Sequence, residues 1–200
     1  GADAITFSTL TDSLTLSTGG GNDSITFSTG ASAAKTYTID CGAGVDTLKI
    51  TADTLDLSAG TALSLTGIET IEMSGAVNTS VTVSSATLSG KAIIIDHLAE
   101  ADTWDLIAAM GTATSADFSS LTINTTRITE ADEIVVSNTA ATAGLTITGA
   151  NGIQNDFTGG SGADTLTGGT VKDTLTGGAG NDTIVGNDGT NFLLGGAGAD

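Results

Sequence analysis

Residues 159–200 read GGSGADTLT, GGTVKDTLT, GGAGNDTIV, GNDGTNFLL and GGAGAD, nine-residue units that begin at Gly159, Gly168, Gly177, Gly186 and Gly195. A weaker unit, ANGIQNDFT, precedes them from Ala150. Each of the five complete units joins a turn-forming run to a very short strand carrying an apolar residue expected to point inward: Phe157, Leu166, Leu175, Ile184 and Leu193. Glycine supplies the left-handed backbone that such turns need. A short fixed period of this kind marks a solenoid, in which each unit is covered only by the units stacked on either side.

Outward from this stretch the pattern loosens without disappearing. TGGGNDSIT (18–26) and CGAGVDTLK (41–49) have the form of the same unit. Asp3, Asp12, Asp23 and Asp46 each precede a short alternating strand, AITF, SLTL, SITF and TLKI, although Asp12 lacks the glycines. Between 54 and 149 the glycine turns thin out, but strand-like runs recur: LDL at Leu55, LSL at Leu63, ETIEM at Glu69, VTV at Val81, AIII at Ala92, LTI at Leu121, IVV at Ile134 and LTI at Leu145. The stretch DHLAEADTWDLIAAM, residues 96–110, is the one expected to form a loop or a short helix outside the sheet, with Trp104 anchoring it. Three regions are therefore expected: 1–53, a degenerate roll; 54–149, an irregular β-solenoid; and 150–200, a regular roll. Gly1-Ala2-Asp3 reads as the end of a unit and 195–200 as the start of one, so the chain is expected to be a piece of a longer protein.

Composition agrees with a narrow stack. The chain has 28 Gly, no Pro and only 4% aromatic residues, too few large side chains for a wide globular core. Its hydrophobic content of 39% and its alternation argue against disorder. With 23 acidic residues against Lys35, Lys49, Lys91, Arg127 and Lys172, the formal charge of −18 excludes nucleic acid and anionic lipid as partners and favours cations. No apolar run approaches the roughly 18 residues of a membrane span, so no membrane insertion is expected.

The residues of catalysis are missing. His97 is the only histidine, which excludes a two-histidine zinc site of the HExxH type, and neither a GxSxG elbow nor a phosphate-binding glycine loop is present. Cys41 stands alone beside acidic residues that would raise its pKa, so neither a disulfide nor a reactive thiol is expected. The acidic groups Glu100/Asp102/Asp105 and Glu130/Asp132/Glu133 read as solvated loop residues.

The units at Gly159 and Gly177 match GGxGxDxUx, U being apolar, at every defined position, and the unit at Gly195 matches as far as it runs. In tandem they resemble the RTX calcium-binding β-roll. The resemblance implies an all-β chain, an elongated parallel β-solenoid or β-roll in which two nonapeptides make one coil and Gly-rich turns hold Ca2+ with carbonyl oxygens and the Asp carboxylate. That donor set suits a hard cation seeking six to eight oxygens. The implied ligand turns are Gly160, Gly162 and Asp164; Gly178, Gly180 and Asp182; and Gly196, Gly198 and Asp200 on one edge. Gly169 and Asp173 lie on the other, where Asn155 and Asn191 replace aspartate and Val171 replaces a glycine. Two well-formed calcium sites are expected on the first edge, with weak or no binding on the second. By the same reasoning Asp3, the Gly19, Gly21 and Asp23 turn and the Gly42, Gly44 and Asp46 turn are candidate ligands near the N-terminus, with Asp12 opposite.

RTX repeats accompany three kinds of protein: crystalline surface layers of Gram-negative bacteria, giant adhesins, and secreted enzymes or toxins with a C-terminal folding roll. The stretch LTGIETIEMSGAVNTSVTVSSATLSG (65–90) is similar to the strand-rich parts of surface-layer proteins. The expectation is thus a non-enzymatic structural component of an extracellular, cell-surface layer, assembling as a homo-oligomeric array with calcium, with cell-surface polysaccharide as a further candidate partner.

Overall fold

In the computed structural model, the described residues are 1–8, 12–28, 36–52, 54–56, 63–74, 79–97, 103–110, 113–123, 132–138 and 141–200. The strands are short because each turn of the chain crosses a face in a few residues and then bends. The first region holds β1 (Ala4–Phe7), β2 (Leu14–Ser17), β3 (Ser24–Phe27), β4 (Tyr37–Asp40) and β5 (Thr47–Ile50). Next come β6 (Thr54–Asp56), β7 (Leu63–Thr66), β8 (Thr70–Met73), β9 (Thr79–Ser84), a single helical turn α1 (Ser85–Leu88) and β10 (Ile94–His97). They are followed by β11 (Trp104–Ala109), β12 (Ser115–Asp117), β13 (Thr122–Ile123), β14 (Glu133–Ser137) and β15 (Thr146–Thr148). The last are β16 (Gln154–Gly160), β17 (Thr165–Thr167), β18 (Thr174–Ala179), β19 (Thr183–Val185) and β20 (Phe192–Ala197).

All the pairings between these strands are parallel, and the sheets are the faces of one solenoid. The first face runs β1-β3-β5-β8-β10-β13 and the second β6-β9-β11-β14-β16-β18-β20. The third is built of β2-β4-β7 and β12-β15-β17-β19, with α1 packed between β7 and β12 where a strand would otherwise lie. The backbone at the end of α1 ties into that face: Gly90 N–H donates to the Asp117 carbonyl, and Asp117 N–H to Ser89 Oγ at 3.0 Å.

The cross-section changes along the chain. Coils such as β3–β4 and β16–β17 have two sides, whereas β10–β11–β12 and β13–β14–β15 have three. Coil length follows: hydrogen bonds between equivalent positions of neighbouring coils span 18 residues in the C-terminal roll, 23 near the N-terminus and 28 in the middle. A third side widens the interior, which there holds the largest buried side chain, Trp104. Trp104, Phe118, Met73 and Met110 are all buried, and Phe118 meets Phe157 with ring centroids 6.2 Å apart.

Inside, like stacks on like. Ile25, Leu48, Ile71, Ile95 and Ile123 follow one another in register along the first face. The period-2 alternation puts these inside while Lys49 and Glu72 pair outside at 3.0 Å, a partly exposed contact that contributes little. In the roll, Phe157, Leu166 and Leu175 are buried as the units require, Ile184 is half-buried, and Leu193 is 47% exposed on the outermost strand β20.

One expected element is different. Within 96–110, expected as a loop or short helix, residues 98–102 lie outside the described set, but Trp104–Ala109 is a strand with strictly alternating burial. Trp104, Leu106 and Ala108 face inward and β9 and β14 flank the strand on both sides. Two parallel neighbours override the helical preference of its Leu and Ala residues. Trp104 is accordingly a core residue rather than the anchor of an external loop. The helical turn falls instead at Ser85–Leu88.

Candidate metal sites

The turn at 177–182 shows why each unit is written as it is. A Cβ on Gly177 would strike the Asp182 Oδ2, so the first glycine leaves the space into which the carboxylate folds back. Gly178, at φ 116°, lies against the Gly160 carbonyl of the preceding coil, an approach and a backbone conformation that a side chain would forbid. Gly160, Gly178 and Gly196 stand in register, so the turns containing Gly162, Gly180 and Gly198 stack one above another.

The aspartates of this first edge form a ladder. Asp164 Oδ1 accepts the Leu145 N–H at 2.7 Å, Asp182 Oδ1 accepts the Asp164 N–H at 2.8 Å, and Asp200 Oδ1 accepts the Asp182 N–H at 3.0 Å. One carboxylate oxygen is thereby used to hold the coil beneath. The other is not: Asp164 Oδ2 and Asp182 Oδ2 are buried with no hydrogen-bond partner. An orphaned buried carboxylate oxygen is costly unless a proton or a cation meets it. The turns also bring backbone carbonyls to the same edge, which completes the hard-oxygen donor set that Ca2+ prefers.

Near the N-terminus the same ladder appears. Asp23 Oδ1 accepts the Asp3 N–H at 2.8 Å, and Asp46 Oδ1 accepts the Asp23 N–H at 2.7 Å. Gly19, Gly21, Gly42 and Gly44 take positive φ in the stacked turns beside it. Asp46 Oδ2 is buried without a partner, as at Asp164. Asp3 contributes its N–H while remaining exposed, and Asp12 is exposed on its own turn. The ladder has a further rung absent from the sequence reading: Glu69 Oε2 accepts the Asp46 N–H at 2.8 Å. The signal was the Gly67-Ile68-Glu69 turn ahead of β8, where Glu stands in the place of Asp.

The second edge is built otherwise. Asp173 Oδ1 accepts the Asn155 N–H at 2.8 Å, but its Oδ2 accepts the Gly169 N–H at 2.8 Å, leaving neither oxygen free of a donor. Asn155 Nδ2 donates to the Ala150 carbonyl of its own turn at 3.0 Å and to Asp173 Oδ1 at 2.8 Å. Among the described residues no three His, Cys, Asp or Glu side chains cluster as a metal site, so a cation at any of these edges relies on turn carbonyls beside its carboxylates.

Of the two acidic groups expected to be solvated loop residues, the described members are at least half-buried. Glu100, Asp102 and Glu130 lie outside the described residues. Asp132 is buried, with Oδ1 accepting the Trp104 N–H at 2.9 Å, and Asp105 and Glu133 are half-buried neighbours on β11 and β14. Cys41 is buried, and burial is the main cause of its raised pKa, with nearby aspartates adding to it.

Charge on this scaffold has a calculable sign. Burial pushes the carboxyls of Asp105, Glu133 and Asp156 above the usual range, with Asp132 adding to the first and Asp156 and Asp105 to the second. Asp164 is raised by burial, against the pull of the Leu145 N–H. A raised carboxyl holds its proton better folded than unfolded, so its ionisation destabilises the fold as pH climbs from the ordinary value through the raised one. Asp23, lowered by Thr18 and the Asp3 N–H, and Asp117, lowered by Ser119, act oppositely, but only below the ordinary range. In chelator, Tm is therefore expected to rise as pH is lowered from neutral towards the ordinary carboxylate range of about 4, and Glu133→Gln to flatten the slope. A Tm that falls over that window would contradict this reading.

Comparison with known proteins bears on the C-terminal roll. Residues 154–170 and 167–200 match the family model of the RTX calcium-binding nonapeptide repeat, in four copies. No curated protein and no solved structure matches the chain. Proteins with such repeats are typically secreted. The stacked Gly-Asp turns of residues 154–200 thus carry the RTX calcium-binding nonapeptide repeat, whose cofactor is Ca2+.

Proposed function

We propose that the chain is a structural component of a calcium-dependent extracellular surface layer, in which solenoids stiffened by Ca2+ pack side by side into an array. The observation that carries this reading is the pair of buried, unpartnered carboxylate oxygens of Asp164 and Asp182, stacked on one edge of a parallel solenoid. Such an edge is strained by its own charge until a divalent cation reaches it, which ties folding to the calcium-rich space outside the cell. The ligands are Asp164, Asp182 and Asp200 with their turns Gly160/Gly162, Gly178/Gly180 and Gly196/Gly198. Asp23 and Asp46, with Gly19/Gly21 and Gly42/Gly44, form a second group near the N-terminus, to which the described geometry adds Glu69. A chain with a net charge of −18 also presents acidic outer faces that further calcium can bridge between copies.

Electron microscopy of the protein in millimolar calcium tests the proposal. A two-dimensional lattice that dissolves on adding EGTA is the expected result. Monodisperse particles in calcium, or a lattice indifferent to chelator, would overturn it.

A further inference from the structure

The two edges of the C-terminal roll satisfy their turns with different chemistry. On the first, the Oδ2 atoms of Asp164 and Asp182 are buried and meet no donor. On the second, nitrogen takes the corresponding place. Asn155 Nδ2 lies against the carbonyls of Ala150 at 3.0 Å and Ile153 at 3.2 Å, both in its own turn, while its Oδ1 accepts the Ala150 N–H at 3.0 Å. Two coils further on, Asn191 Nδ2 donates to the Asp188 carbonyl at 3.1 Å and its Oδ1 accepts the Asp173 N–H of the intervening coil at 2.9 Å. From the same turn as Asn191, Asn187 Nδ2 reaches down to the Gly168 carbonyl of that intervening coil at 2.9 Å. Asn187 is held for this at φ 56°, the one non-glycine residue with positive φ among the described residues.

An amide NH2 is neutral, carries two donors and is small enough to sit among turn carbonyls. It meets the same oxygens that would otherwise require a cation, without adding charge. Asn191 also retains an Oδ1 that accepts the N–H of the coil beneath, keeping that rung of the ladder, whereas Asn155 Oδ1 closes its own turn; at both positions the demand for metal is removed. The sole buried carboxylate of this edge, Asp173, is fully engaged by N–H groups of Asn155, Gly169 and the Asn155 side chain.

We infer that Asn155, Asn187 and Asn191 make the second edge a metal-independent clamp, their side-chain amides standing in for the cations of the first edge. This rests on the calcium reading of the first edge. The roll would then be hinged when calcium is absent: one edge stays closed and holds the register of the coils, and the other closes when the ion arrives. Keeping the register reduces the chain entropy lost as the metal binds.

The test uses the 200-residue chain, with calcium counted by native mass spectrometry and amide exchange followed by NMR. In EGTA, the N–H groups of Asn155 and Asp173 are expected to stay protected, whereas those of Asp164 and Asp182 lose protection by about tenfold or more. Asn155→Asp and Asn191→Asp should each raise the calcium count by one and make the second edge chelator-sensitive. Equal loss of protection on both edges, or an unchanged calcium count in variants that fold, would overturn the clamp while leaving first-edge binding intact. A wild-type chain that binds no calcium at all would remove the calcium reading itself and the contrast between edges with it. The exchange measurement on wild type stands even if a variant fails to fold.

Discussion

Alanine in place of Asp182 is expected to abolish both calcium sites of the first edge and to be among the most damaging single changes in the roll. Asp182 stands between the turns at 159 and 195, its Oδ1 holding the Asp164 N–H at 2.8 Å and its Oδ2 left for the cation. Orphaning a buried N–H costs about 1–3 kcal/mol. Each ion lost removes about 2.7 kcal/mol more when free calcium is 100-fold above its Kd. Asp182→Asn separates the two effects, because it keeps an acceptor for Asp164 while discarding the charge. It should lose the calcium-dependent part while stability in EGTA stays at or above that of wild type, since the amide removes the orphaned buried charge. Denaturant titrations with and without calcium read both quantities, and an alanine variant that still gains stability from calcium as wild type does would contradict the assignment.

Trp104→Ala is expected to cost about 3–5 kcal/mol, and to cost it equally in calcium and in EGTA. Trp104 is 1% exposed at the start of β11, in the wide three-sided part of the solenoid, far in sequence from the regular nonapeptides. Its contribution is packing, which no metal replaces. If the residue only fastened an external loop, the loss would stay near the ±0.5 kcal/mol typical of surface changes. Urea unfolding of the variant in both buffers distinguishes the two.

Much of this fold is written openly in the chain, and the hidden parts have definite physical causes. The eighteen-residue stacking of Asp164, Asp182 and Asp200 follows from the nine-residue period, since two units close a coil. The inward positions Phe157, Leu166 and Leu175 follow from alternation. The third face does not, because a run such as LDL or VTV alternates in the same way whichever face it joins; coil lengths of 23 and 28 only say that extra chain must go somewhere. The strand at Trp104–Ala109 was masked by residues that favour helices in isolation and are held extended by neighbours on both sides. Glu69 is not legible from the repeat because the ladder needs only an acceptor oxygen at the right height, which the longer Glu supplies without the nonapeptide around it. The burial of Asp132 likewise depends on β11 running beside it.

The asymmetry of the two edges is the heart of the account, and diffraction can see it directly. Crystals of the protein grown in calcium, with anomalous data collected where calcium scatters, should show ions between the turns at 159 and 177 and between those at 177 and 195. The gap between the turns at 168 and 186 should hold none, being closed by the Asn187 and Asn191 amides. Anomalous peaks of equal height along both edges, or none on the first, would contradict it.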